Sequence, residues 1–437
     1  NPISLAGVPP AEGWIFTFDE CCRNLAITNL SFDPAPDLGF TLRAIMYPFN
    51  GQNESPCFDS SPVFAQVPAL VICVDNPFVY NHNAYDEDQD SLVYSFAPSL
   101  DWLQGADFTA TTPPNLIFSP GFSPVAPFGP TVPTSLSSSS GEIAFTPDQT
   151  GNYVSVVNVK AYKCGQLVAE IFREIQIVVI SCGNNNPPVI NAPFIDPITS
   201  LPSFTTTVQA GDLVNFTITG IDNDISIIGV PQSLRITASG GNFGTNFTNP
   251  NAGCTFPPCA TLNPAPPVVV PSNSSITFNW QTDCSHIASN DNCLVTTNAY
   301  KFQILFQDDF CPAPSYQSAT ITILVEAPPV PNSPSLRCLE VENNGDVTLT
   351  WVPPTDPENQ FNSYHIYHSN SSTGPFTVID SVFNINQTSY THVGANANVA
   401  SGFYYIRTRG GCNGIIFALP SNTLQSTCHH REHHKQF

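Results

Sequence analysis

Three aspartates at alternate positions, Asp86, Asp88 and Asp90, stand just before an apolar stretch that begins at Leu92. On a turn they direct their oxygens to one side, a donor set that suits the roughly six to eight oxygen ligands of calcium. No EF-hand is present, since such a loop needs a turn glycine, flanking helices and a distal Glu. Asp222 and Asp224, joined by Asp308 and Asp309, form a second set for the same ion. The plain alternative for each set is a solvated acidic turn in an acidic protein.

Fourteen cysteines supply the other reactive groups, and no two stand in a C-x-x-C pair. Such a count belongs to an oxidising compartment, and no spacing fits a zinc site. Adjacent Cys21 and Cys22 face opposite sides of a strand, so each is expected to find its own partner, with Cys57 and Cys73 the nearest. That leaves Cys164 for Cys182, while Cys254 and Cys259 can close a short loop. Spacing alone does not fix these pairings.

No motif for catalysis stands out. The chain lacks a G-x-S-x-G nucleophile elbow, a Walker loop and G-x-G-x-x-G. His82, His286, His365, His368 and His392 are scattered, and HHREHH at 429–434 reads as a polar end before it reads as metal ligands. No carboxylate pair is singled out for glycoside hydrolysis, so no enzyme is expected.

Charge narrows the partners. Among 437 residues, 12 Lys+Arg face 34 Asp+Glu, and a net charge of −22 repels nucleic-acid backbones. Hydrophobic residues make up 41%, which argues for packed cores despite 43 Pro. No apolar run reaches the ~18 residues of a spanning helix, so no membrane span is expected in this chain. Asn1 at the start and a lone Met46 are expected of a processed product or fragment.

The elements that must position these groups are strands. Val347, Leu349 and Trp351 share one face, as do Ile321, Ile323 and Val325, and Phe40, Leu42 and Ala44. Short period-two runs between Pro/Gly/Asn/Ser turns predict an all-β chain of tandem antiparallel β-sandwiches. Proline-rich joints at 56–68, 184–193 and 327–334 are expected to act as semi-rigid spacers in an extended rod. They divide the chain into a short, truncated Ig-like module (1–62), two cadherin-like or Ig-like modules (63–183 and 184–328), a fibronectin type III-like module (329–428) and a His-rich tail (429–437). A repeat links the two middle modules: an acidic turn, then an apolar strand (GEIAFTP at 141–147, SITFNW at 275–280), then a strand ending near a Cys.

The D-x-D-x-D-S-L-x-Y run at 86–94 with G-x-I-x-F-T-P downstream resembles cadherin-like and Ig-like repeats of bacterial surface proteins. CCRN at 21–24, F-x-W-x-x-D-C at 278–284 and DDFCP at 308–312 resemble tandem modules of type IX-secreted, gliding-motility-associated adhesins of Bacteroidota. The last module resembles fibronectin type III through Trp351, the Tyr364 to Tyr367 strand and Y-x-R near Tyr404 to Arg407. This resemblance independently implies calcium at Asp86, Asp88 and Asp90, a Cys284–Cys311 bridge, and Asp-Ser-aliphatic O-glycosylation at Ser91 and Ser381. The seven N-x-S/T sequons, in contrast, are about what chance gives for this Asn, Ser and Thr content, and they carry no weight. The expected role is a non-enzymatic structural or adhesive segment, secreted to the cell surface or beyond. Its partners would be other copies in a fibre, or a surface polysaccharide or protein ligand. The alternative is a carbohydrate-binding accessory region of a secreted hydrolase, with Trp14 or Trp102 stacking on sugar rings.

Overall fold

Among the described residues every regular element is a strand, apart from three single 3-10 turns. The computed structural model describes residues 7–32, 37–50, 58–66, 71–183, 185–226, 229–287, 297–414 and 416–426. Cys57 and the histidine run at 429–434 lie outside them. No helix among the described residues is long and apolar enough to cross a membrane. The chain divides into two compact units, the first holding nearly everything up to Val325 and the second the chain from Glu326 onward.

The first sandwich uses eleven strands: β1 (Trp14–Cys21), β2 (Gly39–Met46), β3 (Val63–Phe64), β4 (Val71–Cys73), β5 (Phe78–Asn81), β6 (Ala84–Tyr85), β7 (Ser91–Phe96), β8 (Ser135–Leu136), β9 (Glu142–Phe145), β10 (Gly151–Lys163) and β11 (Gln166–Ile180). One sheet runs β1-β2-β11-β10-β7, with β4 parallel to the end of β11, and the facing sheet runs β5-β9-β8. Ile175, Ile177 and Val179 alternate inward from β11 and meet Phe78, Tyr80, Ile143 and Phe145 of the facing sheet. Each such side chain contributes about 1.5–3 kcal/mol on full burial, so the register of β11 is strongly held.

The boundary expected at residue 62 is crossed by this sheet. β2 pairs with β11, Met46 opposite Ala169 and Ala44 opposite Ile171. Arg23, nearly buried, donates to Glu174 on β11 and to the Leu100 carbonyl. The physical reason is that β10 is buried on both faces. Its outer face, with Val154 and Val156, needs a cover, and Ile27, Leu30, Leu38, Ala97 and Leu116 supply it. Residues 14–46 therefore complete the second expected module instead of forming one of their own.

Asn29 fastens that cover. Its side-chain amide donates to the Pro127 and Val154 carbonyls at 2.9 and 2.8 Å, and its oxygen accepts from the Val154 amide at 3.0 Å. The residue is fully buried, so the sequon it begins is no modification site in the folded chain.

The second sandwich of the first unit repeats the pattern. Leu213–Ile221 with Asn273–Gln281 corresponds to β5 with β9, and Ser233–Ser239, Thr297–Gln307 and Tyr316–Glu326 correspond to β7, β10 and β11. Phe216, Phe278, Phe302 and Trp280 stack or meet edge-on at its centre, with ring centroids 4.7–5.4 Å apart. The faint sequence repeat is thus a repeat of strand pairing.

In the second unit, Ser335–Val341, Val347–Val352 and Ser389–His392 form one sheet, and Thr377–Val382, Phe361–Ser369, Phe403–Gly410 and Ile416–Phe417 the other. Trp351, Tyr364, Ile366, Tyr404 and Ile406 fill the space between them. This is the fibronectin type III-like sandwich expected at the end of the chain.

Replacing Asn29 by Ala leaves buried backbone groups of Val154 and Pro127 without partners. A loss on the order of 1–3 kcal/mol is expected in urea unfolding. An unchanged urea midpoint would show that the cover does not depend on this side chain.

Candidate functional site

Both acidic turns form where the repeat puts them, at the end of their sandwich where a long central strand finishes. In the first, Tyr162 pairs with Ser91, which sets Lys163 beside Asp90 across the ladder. Asp86 closes the turn, its Oδ1 accepting from the Asp88 and Asp90 amides at 2.9 and 3.3 Å. Asp88 is exposed and accepts from the Ser60 amide at 2.6 Å, which draws the neighbouring Asp59 into the same place. Lys163 Nζ donates to Asp59 and lies 4.0 Å from Asp90, and these side chains are only 9%, 8% and 4% exposed.

Burial shapes the protonation of this group. It pushes the Asp86 carboxyl up to about 6, against the pull of the two turn amides. Asp59 and Asp90 are also raised, first by burial, with neighbouring carboxylates adding to it. Asp90 Oδ2 is buried with no hydrogen-bond donor, a setting that disfavours its charged form.

The second turn differs in charge. Asp222 Oδ1 accepts from the Asp224 amide at 2.8 Å, and Asp224 accepts from the Asn186 amide at 2.6 Å. Asp308 stands where the first sandwich has Lys163, and it is saturated by the Phe310 and Ser315 amides and the Asn185 side chain at 2.7–3.0 Å. Burial raises Asp308 to about 6, and Asp222 is raised by burial and by Asp224 and Asp309. Asp309 itself is exposed.

The structure thus brings each expected set together on its turn. Among the described residues no three His, Cys, Asp or Glu side chains converge to hold a metal ion. Turn amides hold Asp86 Oδ1 and Asp222 Oδ1, while Asp86 Oδ2, Asp90 Oδ2 and Asp222 Oδ2 are buried without a hydrogen-bond donor. Lys163 and Asp59 were missed by sequence reasoning. The signal available was Lys163 at the end of an apolar strand in a chain with 12 basic residues, where each buried cation needs a carboxylate.

The disulfides differ from the expected pairing. Cys21, the last residue of β1, and Cys22 stand against each other, and neither is placed beside Cys73. Cys73 is joined to Cys182, since β4 runs parallel to β11 with Cys73 opposite Ile180, two residues before Cys182. Cys164 is disulfide-bonded, but Cys182 is not its partner. The Cys254–Cys259 loop closure is as expected. Cys284 is also bonded, but Cys311 is a free, exposed thiol. The strand before Cys284 ends opposite Leu213, whereas Cys311 follows the Asp308 turn at the other end of the sandwich. Cys338 is the other free thiol among the described residues.

A polar seam joins the two sandwiches of the first unit. Asn81 donates to Thr320, which donates to Glu142, and Asn83 donates to Ser239, which donates to Gln66, at 2.6–3.0 Å. Asn185 in the proline-rich joint is buried here, where its carbonyl accepts from Asn76, while Asn186, Val189 and Asn191 of the joint are exposed. His82 lies fully buried between the asparagines, beside Tyr80 and Phe64, with neither ring nitrogen hydrogen-bonded. Burial, aided by the Arg173 charge, lowers it to about 3.

No protein-family model and no curated protein matches the chain. Among solved structures, the chain is similar to the FN1–FN3 domains of chicken CNTN1 (9% identity, 84% of this chain and 98% of that one, TM-score 0.19). It is also similar to titin domains I67–I69 in an E-to-A mutated variant (8%, 84% and 96%, TM-score 0.21). A third likeness is to the pectate lyase Pel3 of Pectobacterium carotovorum (19%, 24% and 29%, TM-score 0.18), of which the chain spans under a third. At these TM-scores none of the three bears on function.

Two outcomes are expected. Chelation of divalent cations should leave the thermal midpoint unchanged. A fall of several degrees reversed by calcium would mean that the carboxylates rearrange around an ion. His82 stays neutral when folded but takes a proton near pH 6.5 when unfolded. Its contribution to stability is present above pH 6.5 and is lost as pH falls from there towards 3, at up to about 1.4 kcal/mol per unit. Urea titrations of His82→Phe should lack that component of the acid slope, and equal slopes would show that His82 is not the group responsible.

Proposed function

We propose that the chain is a non-enzymatic structural and adhesive segment of a secreted cell-surface protein or extracellular filament. The observation that carries this reading is a run of β-sandwiches, each with a cysteine held in a disulfide, a chemistry that persists in oxidising compartments. The resemblance to type IX-secreted, gliding-motility-associated adhesins belongs to the same proposal. Sugar attachment at Ser91, which is exposed, and at half-buried Ser381 would fit it as well.

The preferred partner is another copy of the chain. β1 is the edge strand of its sheet, so Trp14–Cys21 offers backbone groups to an incoming strand. The accessory-module reading has less support, because no tryptophan is fully exposed as a sugar platform. Trp280 and Trp351 are buried and Trp14 and Trp102 half-buried, with Trp102 packed over Gly39.

Electron micrographs of the native assembly are expected to show filaments or strings of copies. Particles that stay monomeric at high concentration, together with polysaccharide-column retention that is lost in Trp102→Ala, would favour the accessory module instead.

A further inference from the structure

The Lys163 group holds more than a buried ion pair needs. An amine and a carboxyl are in direct contact, enclosed by protein, and a second carboxyl, that of Asp90, lies 4.0 Å from the same amine. The Phe49 ring lies 6.0 Å from Lys163 Nζ, so one wall of the enclosure is apolar. We propose that Lys163 and Asp59 form an intramolecular amide cross-link, with Asp90 as the acid–base group that assists the condensation.

Each participant already has its place. Lys163 is fixed at the end of β10 by thirteen residues of ladder with β11. Asp59 is held through the Ser60 amide, which donates to Asp88 on the acidic turn. Asp90 is held by the hydrogen bond that its backbone N–H donates to Asp86 Oδ1 and by its place next to Ser91, which pairs with Tyr162. Such positioning replaces a bimolecular encounter with one between neighbours, which is the largest part of the barrier to amide formation that a fold can remove.

The chemistry balances without an outside reagent. Inside this enclosure the ammonium passes one proton to the Asp59 carboxylate, since low dielectric favours the neutral amine and acid over the charged pair. The Nζ lone pair then attacks Asp59 Cγ, and the carbonyl π electrons move to its oxygen. Asp90 gives its proton to that oxygen and takes one from the nitrogen, so it ends unchanged. The Asp59 hydroxyl leaves with a proton as water, and one C–N bond has replaced one C–O bond. The raised carboxyl groups fit this sequence, because a protonated Asp59 offers a hydroxyl leaving group and a protonated Asp90 can donate.

The bond would tie residues 104 positions apart, next to the disulfide-bonded Cys164. Unlike a disulfide, it would survive reduction. The inference concerns one bond and stands apart from the adhesive reading, which it would neither require nor sink.

Intact mass of the full chain, reduced and denatured, is the direct test. The expected mass is one water below that of the sequence, with a linked peptide pair containing Asp59 and Lys163 after digestion. Lys163→Arg, which keeps the cation but forms no such amide, should have the full sequence mass, and Asp90→Asn should have it too. An unmodified chain at full sequence mass overturns the proposal, as does a water loss that maps to other residues or persists in Lys163→Arg. Because the first reading is made on the native sequence, failure of a variant to fold does not affect it.

Discussion

The β10–β11 hairpin is the constraint on which the first unit depends. Thirteen antiparallel pairs fix its register, with a single irregularity after Ala161. One face of β10 belongs to the core shared with β5 and β9, and the other calls for the cover pinned by Asn29. The tip of the hairpin sets Lys163 among the carboxylates, and its far end brings Cys182 to Cys73. A one-residue slip would turn Ile175, Ile177 and Val179 away from the core and carry Lys163 off Asp90 at the same time.

Scarcity of positive charge gives the few cations structural work. Arg23 locks the first strands to β11, and Arg173 reaches the His82 and Gln66 carbonyls beside the seam. Lys301 crosses the seam to the Ser139 carbonyl and lies over the Tyr94 ring. In a chain of net charge −22, such residues are unavailable for steering anionic partners. The two sandwiches also part ways at equivalent positions. Where the first answers its acidic turn with a lysine, the second has Asp308 and relies on amide donors.

The fold class was legible because alternation is a local property: Val347, Leu349 and Trp351 read inward from the sequence and are buried in the structure. The repeat was legible for the same reason. Partition of the chain was not, because what buries the back of β10 comes from distant segments, Ile27 to Leu38 together with Ala97 and Leu116, and no local pattern shows that β10 needs cover on both sides. Cysteine partners were missed on similar grounds, as Cys73 and Cys182 become neighbours only through a parallel pairing of β4 with β11. Acidic residues were located correctly. What surrounds them was not, since Asp59 and Lys163 reach the turn through long-range register and not through spacing.

The Cys73–Cys182 bridge has a mechanical consequence. It spans 109 residues, including β5 to β11. Tension applied to the chain ends would pass through the sulfurs and bypass the enclosed hairpin. At about 3.5 Å per extended residue, roughly 380 Å of contour is thereby withheld from stretching until the bridge is cut. Under load, the largest core of the first unit would behave as a short inextensible link.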